Sequence, residues 1–190
     1  MSKFVKTAVA AVMVMGAFAS TSSIAAGNNG TARFYGTIED SPCSIVPDDH
    51  KLEVDMGDIG SEKLKGGKST TPKEFQIRLQ DCVFDTQTKA STTFTGTIYT
   101  AVANSNNYTI FSTETGMPFE NVSLAIGDEH GTAYKSGMPI EQLLTLDTSS
   151  TPAKGKSNQT LNFKAWLVGE SAMPTLGAFE ANTTFQITYL

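Results

Sequence analysis

A few short stretches of this chain carry side chains suited to chemistry, and the first question is whether their spacing matches. Gly66-Gly67-Lys68-Ser69 looks like the close of a phosphate-binding loop, in which backbone N–H groups cradle phosphate and the lysine neutralises it. That loop needs a glycine five places before the second glycine here, and the residue there is Glu62. A flexible polar turn is the better reading. Asp48-Asp49-His50 and Asp128-Glu129-His130 each bring carboxylates beside an imidazole. Neither has His-Glu-x-x-His spacing, and neighbouring side chains on a strand face opposite ways. Both read as solvated loops. There is no Gly-x-Ser-x-Gly elbow, and nothing places His50 or His130 beside a nucleophile and an acid. Trp166 alternates away from Leu161, Phe163 and Ala165 and is expected on the outer face of its strand, as a partly covered tryptophan rather than a sugar platform. The residues therefore point to no enzyme, no metal and no cofactor.

The start of the chain is a targeting segment by pattern. Lys3 and Lys6 precede an apolar run from Thr7 to Phe18, and small residues follow to Ile24-Ala25-Ala26. This is the plan of a signal peptide over residues 1–26, cleaved after Ala26 or Ala25. The run is shorter than the ~20 residues that span a bilayer, so no membrane anchor is expected. Removing the segment takes two of the 14 Lys and Arg and no acid, leaving twelve basic residues against 19 acidic ones. An acidic chain with scattered lysines offers no basic face to nucleic acid or anionic lipid.

Cys43 and Cys82 are the two cysteines. In an exported chain an even pair reads as a disulfide. A metal site would need further ligands, and only His50 and His130 are available.

The elements that would hold these residues are strands. Apolar residues alternate at Leu52, Val54 and Met56, at Phe75, Ile77 and Leu79, at Phe94, Gly96 and Ile98, at Val122, Leu124 and Ile126, and at Leu161, Phe163, Ala165 and Leu167. Turn residues separate them, as at Pro47-Asp48-Asp49 and Met173-Pro174. Period-two runs at this spacing predict an all-β sandwich in one domain. The best helical candidate is a turn or two near Met138 to Leu144.

The two ends are the most informative. The chain closes on a strand, Ala181 to Leu190, with Phe185, Ile187 and Tyr189 on one face and nothing following to pair with it. An unpaired edge carrying such residues invites association. Thr31 to Glu39 has the complementary character, alternating with Ala32, Phe34, Gly36 and Ile38 on one face. If one copy's leading segment pairs with another's last strand, main-chain bonds supply affinity and alternate side chains fill pockets. Such a head-to-tail contact builds an open fibre.

At these residues the chain resembles the pilin subunits of bacterial chaperone–usher fimbriae, the type 1 and P pilus family. Gly30 to Ile38 is similar to the family's donor strand, and Asp40-Ser41-Pro42-Cys43-Ser44-Ile45 to the context of its first cysteine. Asp81-Cys82 matches the second, and Gly177 and Tyr189 match a glycine fourteenth from the end and a penultimate aromatic. The resemblance implies an incomplete immunoglobulin-like sandwich that lacks its final strand. It implies a leading extension over residues 27–40 and a pilin domain over 41–190. A periplasmic chaperone would fill the groove and hold the carboxylate of Leu190. At the outer-membrane usher, the leading strand of another copy or related subunit would replace it. Ala32, Phe34, Gly36 and Ile38 would insert. Phe185, Ile187 and Tyr189 would line the groove or meet the chaperone, and Gly177 would mark a bend before them. Ala32 is smaller than the residue usual at its place and predicts a shallower fit. The implied product is a surface fimbria that supports adhesion, with this chain as its major rod subunit. A minor or adaptor subunit is the alternative, and a secreted lectin-like monomer a more distant one.

Overall fold

Ile77, Leu79, Ile140, Leu161, Phe163 and Leu167 are each at most 2% exposed and belong to one apolar core. Their strands form two antiparallel layers. The structure, a computed structural model, describes residues 30–101, 106–149 and 151–190. The signal-peptide expectation for residues 1–26 lies outside these.

In chain order the strands are β1 (Ser44–Ile45), β2 (Lys73–Gln80), β3 (Lys89–Gly96), β4 (Phe111–Ser112), β5 (Val122–Asp128), β6 (Ala133–Tyr134), β7 (Pro139–Leu143), β8 (Leu146–Asp147), β9 (Lys154–Gly155), β10 (Gln159–Gly169), β11 (Phe179–Glu180) and β12 (Thr183–Tyr189). One sheet runs β1-β2-β10-β5-β6, and the facing sheet runs β12-β3-β7. The small pairs β11-β4 and β8-β9 complete the set. Register puts Ile77 opposite Leu161 and Phe75 opposite Phe163, so alternation delivers apolar side chains to one face. Phe94 of β3 meets Phe163 edge-on across the layers, with ring centroids 5.1 Å apart.

Cys43 and Cys82 form the expected disulfide. It ties the start of the domain to the end of β2, where β1 pairs Ser44 with Gln80.

Four expectations need correcting. Met138–Leu144 holds no helical turn; Pro139–Leu143 is strand β7, which buries Ile140 while Leu143 is 78% exposed. Among the described residues the helix is two short 3₁₀ turns, Pro47–Lys51 and Ser61–Lys63. Asp49, read as part of a solvated loop, is buried on Arg78. Trp166 lies on the outer face, outside the apolar core, but is covered more fully than expected: it is only 9% exposed, and its ring lies over Gly127, where an added Cβ would come within 2.8 Å of it. Residues 30–38 form no strand in the described structure, and Phe34, Tyr35 and Ile38 are almost wholly exposed.

Candidate functional site: an open groove beside the last strand

β12 is an edge strand, paired on one side with β3 from Thr183↔Gly96 to Tyr189↔Ala90. Leu190 donates its N–H to the Lys89 carbonyl at 2.9 Å and accepts from the Lys89 N–H at 3.1 Å. A reciprocal pair of this kind fixes the phase of an antiparallel ladder. Thr184, Gln186 and Thr188 therefore turn their backbone groups toward β3. Thr183, Phe185, Ile187 and Tyr189 turn theirs to the open edge.

The side chains on this strand are equally incomplete. Leu161, Phe163 and Ala165 of β10 are buried, as inward residues of a sandwich should be. Phe185, Ile187 and Tyr189 pack against the same core and are only half-buried. No neighbour among the described residues finishes covering them.

Across the gap runs the segment from Leu52 to Gly60. Its side chains alternate, with Leu52, Val54 and Met56 half-buried and Glu53, Asp55 and Gly57 exposed. It has the pattern of a strand and no strand pairing. Its two ends are fixed. At one, Asp49 is held by Arg78 of β2. At the other, buried Leu64 packs on Gly169 so closely that an added Cβ would fall 1.9 Å from the Leu64 carbonyl oxygen. The segment is thus a rim, anchored at each end and unpaired between.

Between this rim and β12 lies a cavity of about 1200 Å³. Its floor includes Phe75, Phe94, Leu124 and Leu167. Ile110, Phe119 and Phe179 line the end beside Thr183, with the Phe119 and Phe179 rings 6.2 Å apart. A trough of this length, with apolar floor and unpaired backbone on one wall, fits an extended peptide with alternating apolar side chains.

Gly177 and Phe185 line this cavity. Gly177 has φ +136°, a backbone angle that glycine adopts readily, and redirects the chain before β11 and β12. Ile187 and Tyr189 continue along the same wall beyond the cavity itself. Burial pushes the pKa of the Tyr189 phenol up. The Leu190 side chain is exposed, and its main-chain oxygen accepts from the Thr88 and Lys89 N–H groups. The residues that the sequence did not single out are the rim and the Phe119–Phe179 end. The rim's alternation was visible at Leu52, Val54 and Met56, but nothing in it separates a rim from an ordinary core strand. Among the described residues no cluster of His, Cys, Asp and Glu could hold a metal ion.

The model of a family described as fimbrial protein matches residues 32–190. The chain belongs to this fimbrial protein family. An uncharacterized fimbrial-like protein of Escherichia coli K12, YfcV, is 74% identical over the full length of both chains. The major MR/P fimbria protein of Proteus mirabilis is 34% identical, with 85% of this chain and 84% of that protein aligned. Among solved structures, the P pilus rod subunit PapA superposes with a TM-score of 0.62 at 20% identity, covering 79% of this chain and all of that one. A subunit from a chaperone–usher pilus gives 0.65 at 22% identity, covering 86% and 96%. This fimbrial subunit therefore shares the immunoglobulin-like pilin fold, and its groove lies along the terminal strand of that fold.

Proposed function

We propose that the protein is a fibre-forming subunit of a chaperone–usher fimbria and polymerises by donor-strand exchange. The observation that carries this reading is the groove itself. One wall has unpaired backbone at Thr183, Phe185, Ile187 and Tyr189, and the floor is apolar. The chain also carries a segment of complementary pattern, Gly30 to Ile38, exposed throughout.

In this reading Ala32, Phe34, Gly36 and Ile38 of one copy enter the groove of another. Burial of side chains such as Phe34 and Ile38 is worth about 1.5–3 kcal/mol each. Ladder hydrogen bonds on β12 add to this and fix the register. Gly36 permits close backbone approach where the groove is shallow. Before assembly a periplasmic chaperone supplies the strand and binds the terminal carboxylate of Leu190, and the usher is the place of exchange. The leading extension is residues 27–40 and the pilin domain 41–190. The fibre stands on the cell surface and supports adhesion. The similarity to a major fimbria protein favours the role of major rod subunit.

The test is a chain lacking residues 27–38, expressed with the fimbrial chaperone and usher. It is expected to bind the chaperone and to be absent from fibres. Normal incorporation would overturn the donor-strand reading. Electron microscopy of cells without the protein separates the roles, since loss of whole fibres marks a major subunit and fewer or shorter fibres a minor one.

A further inference from the structure

Between Gly30 and Ile38 the leading segment carries one charge, that of Arg33. The Arg33 guanidinium lies 5.2 Å from the centre of the Tyr35 ring. The two share the face opposite Ala32, Phe34 and Gly36. When the apolar face fills the groove, Arg33 and Tyr35 look outward from the completed sheet, between β12 and the rim.

The two flanks differ in charge. The outward residues of β12 are Thr184, Gln186 and Thr188, all neutral. The outward residues of the rim include Glu53 and Asp55, both exposed, with Asp58 beyond. None of these three acids is in an ion pair found among the described residues.

Direction matters as well. The rim follows Asp49, which is held by Arg78 opposite Thr160 at the start of β10. Gln159 there bonds Thr145, just beyond Leu143, whose partner Lys89 lies at the Tyr189 end of β12. The rim finishes with Leu64 on Gly169, at the other end of β10. It therefore runs antiparallel to β12. Every strand pair in the two main sheets is antiparallel. A segment laid antiparallel to β12 brings Arg33 to the Glu53 and Asp55 end. The same orientation carries Glu39 and Asp40, which follow the segment, toward Lys63 and Lys65. The reverse orientation would bring Glu39 and Asp40 to Glu53 and Asp55 and place like charges together.

We propose that Arg33 of one copy is read by Glu53 and Asp55 on the rim of the next. This contact speeds capture of the leading segment and selects its direction. Charge pairs at a rim act mainly on association rate and weaken with salt. The inference rests on the donor-strand reading.

The test uses synthetic peptides spanning residues 30–38, with and without R33E, added to the full chain and to its E53K/D55K variant. These substitutions are at exposed positions and leave the core intact. At low salt the R33E peptide is expected to associate about fivefold more slowly with the unaltered chain, the scale of one exposed pair. The gap should close in high salt, and E53K/D55K should favour the R33E peptide instead. Equal rates for both peptides at low salt, or a gap that the rim reversal does not invert, would overturn the Arg33 assignment and leave donor-strand exchange standing. If neither peptide binds any form of the chain, the donor-strand reading fails and this inference falls with it.

Discussion

Asp49 and Arg78, 29 residues apart, are joined through both backbone and side chain: one Asp49 oxygen accepts the Arg78 backbone N–H at 2.7 Å, and the guanidinium donates to the two carboxylate oxygens at 3.0 and 2.6 Å. The carboxylate is buried, while the Arg78 side chain is partly exposed. The pair fastens the 3₁₀ turn Pro47–Lys51 to β2 just before the rim begins.

Replacing Asp49 by Ala leaves the Arg78 backbone N–H without its acceptor. The expected loss is about 2 kcal/mol, read as a lower urea midpoint with unchanged slope. Asp49→Asn keeps an acceptor and should lose less. The Arg78 guanidinium donating to Asp49 holds its carboxyl below the usual carboxylate range. A depressed carboxyl contributes stability that is present above its unfolded value, about 4, and lost as pH falls through the folded value. The unaltered chain should therefore lose this contribution below about pH 4, and Asp49→Asn should flatten that part of the profile.

Alkaline pH is governed by a different group. Burial pushes the Tyr108 phenol up to about 12, against a smaller opposing effect of Ser136. Its hydroxyl donates to the Phe94 carbonyl at 3.3 Å. A phenol with a raised folded value contributes stability that is whole below the unfolded value, about 10, and is lost as pH rises through the folded one. Stability should fall from about pH 10 to about 12. Tyr108→Phe should make that fall shallower in a series of denaturant melts. Some slope will remain, because burial also raises Tyr99 and Tyr189.

The disulfide closes a separation of 39 residues. Replacing Cys43 and Cys82 by Ser should cost about 4 kcal/mol on the loop-entropy account. Equal melting of the double variant and the unaltered chain under oxidising conditions would refute it.

Two glycines near the groove should fail for different reasons. Gly169→Ala puts a Cβ into the Leu64 backbone and must push the end of the rim away. A loss of about 1–3 kcal/mol is expected, with faster hydrogen exchange confined to residues 52–64. At Gly177 an added Cβ would meet only Phe119, at 3.7 Å, so the cost of Gly177→Ala is backbone strain of about 1–3 kcal/mol. Its exchange should quicken at residues 177–185 instead.

The long strands were legible because their partners lie within the chain. β2, β5, β10 and β12 all sit where alternation puts them. The turn at Met138–Leu144 was misread because Ile140, Leu143 and Leu144 have helical spacing, and sequence alone does not reveal that Leu143 points to solvent. Asp49 was missed because its partner is remote, and no local pattern marks a carboxylate for burial. Leu52, Val54 and Met56 alternate as a strand and form none. The pattern is real, but a ladder needs a neighbour, and this rim has none among the described residues. Of the candidate site, the terminal wall was legible at Phe185, Ile187 and Tyr189. The opposite wall required the fold.

The seven-residue register of β12 on β3 also has a mechanical meaning. A strand bonded along the open edge of β12 and pulled lengthwise would load the whole ladder in shear, so its bonds share the force instead of opening one by one. β3 is held on its far side by β7 and would pass that tension into this third strand of the sheet. An edge that leaves the isolated subunit unfinished is thus well placed to bear tension in a fibre.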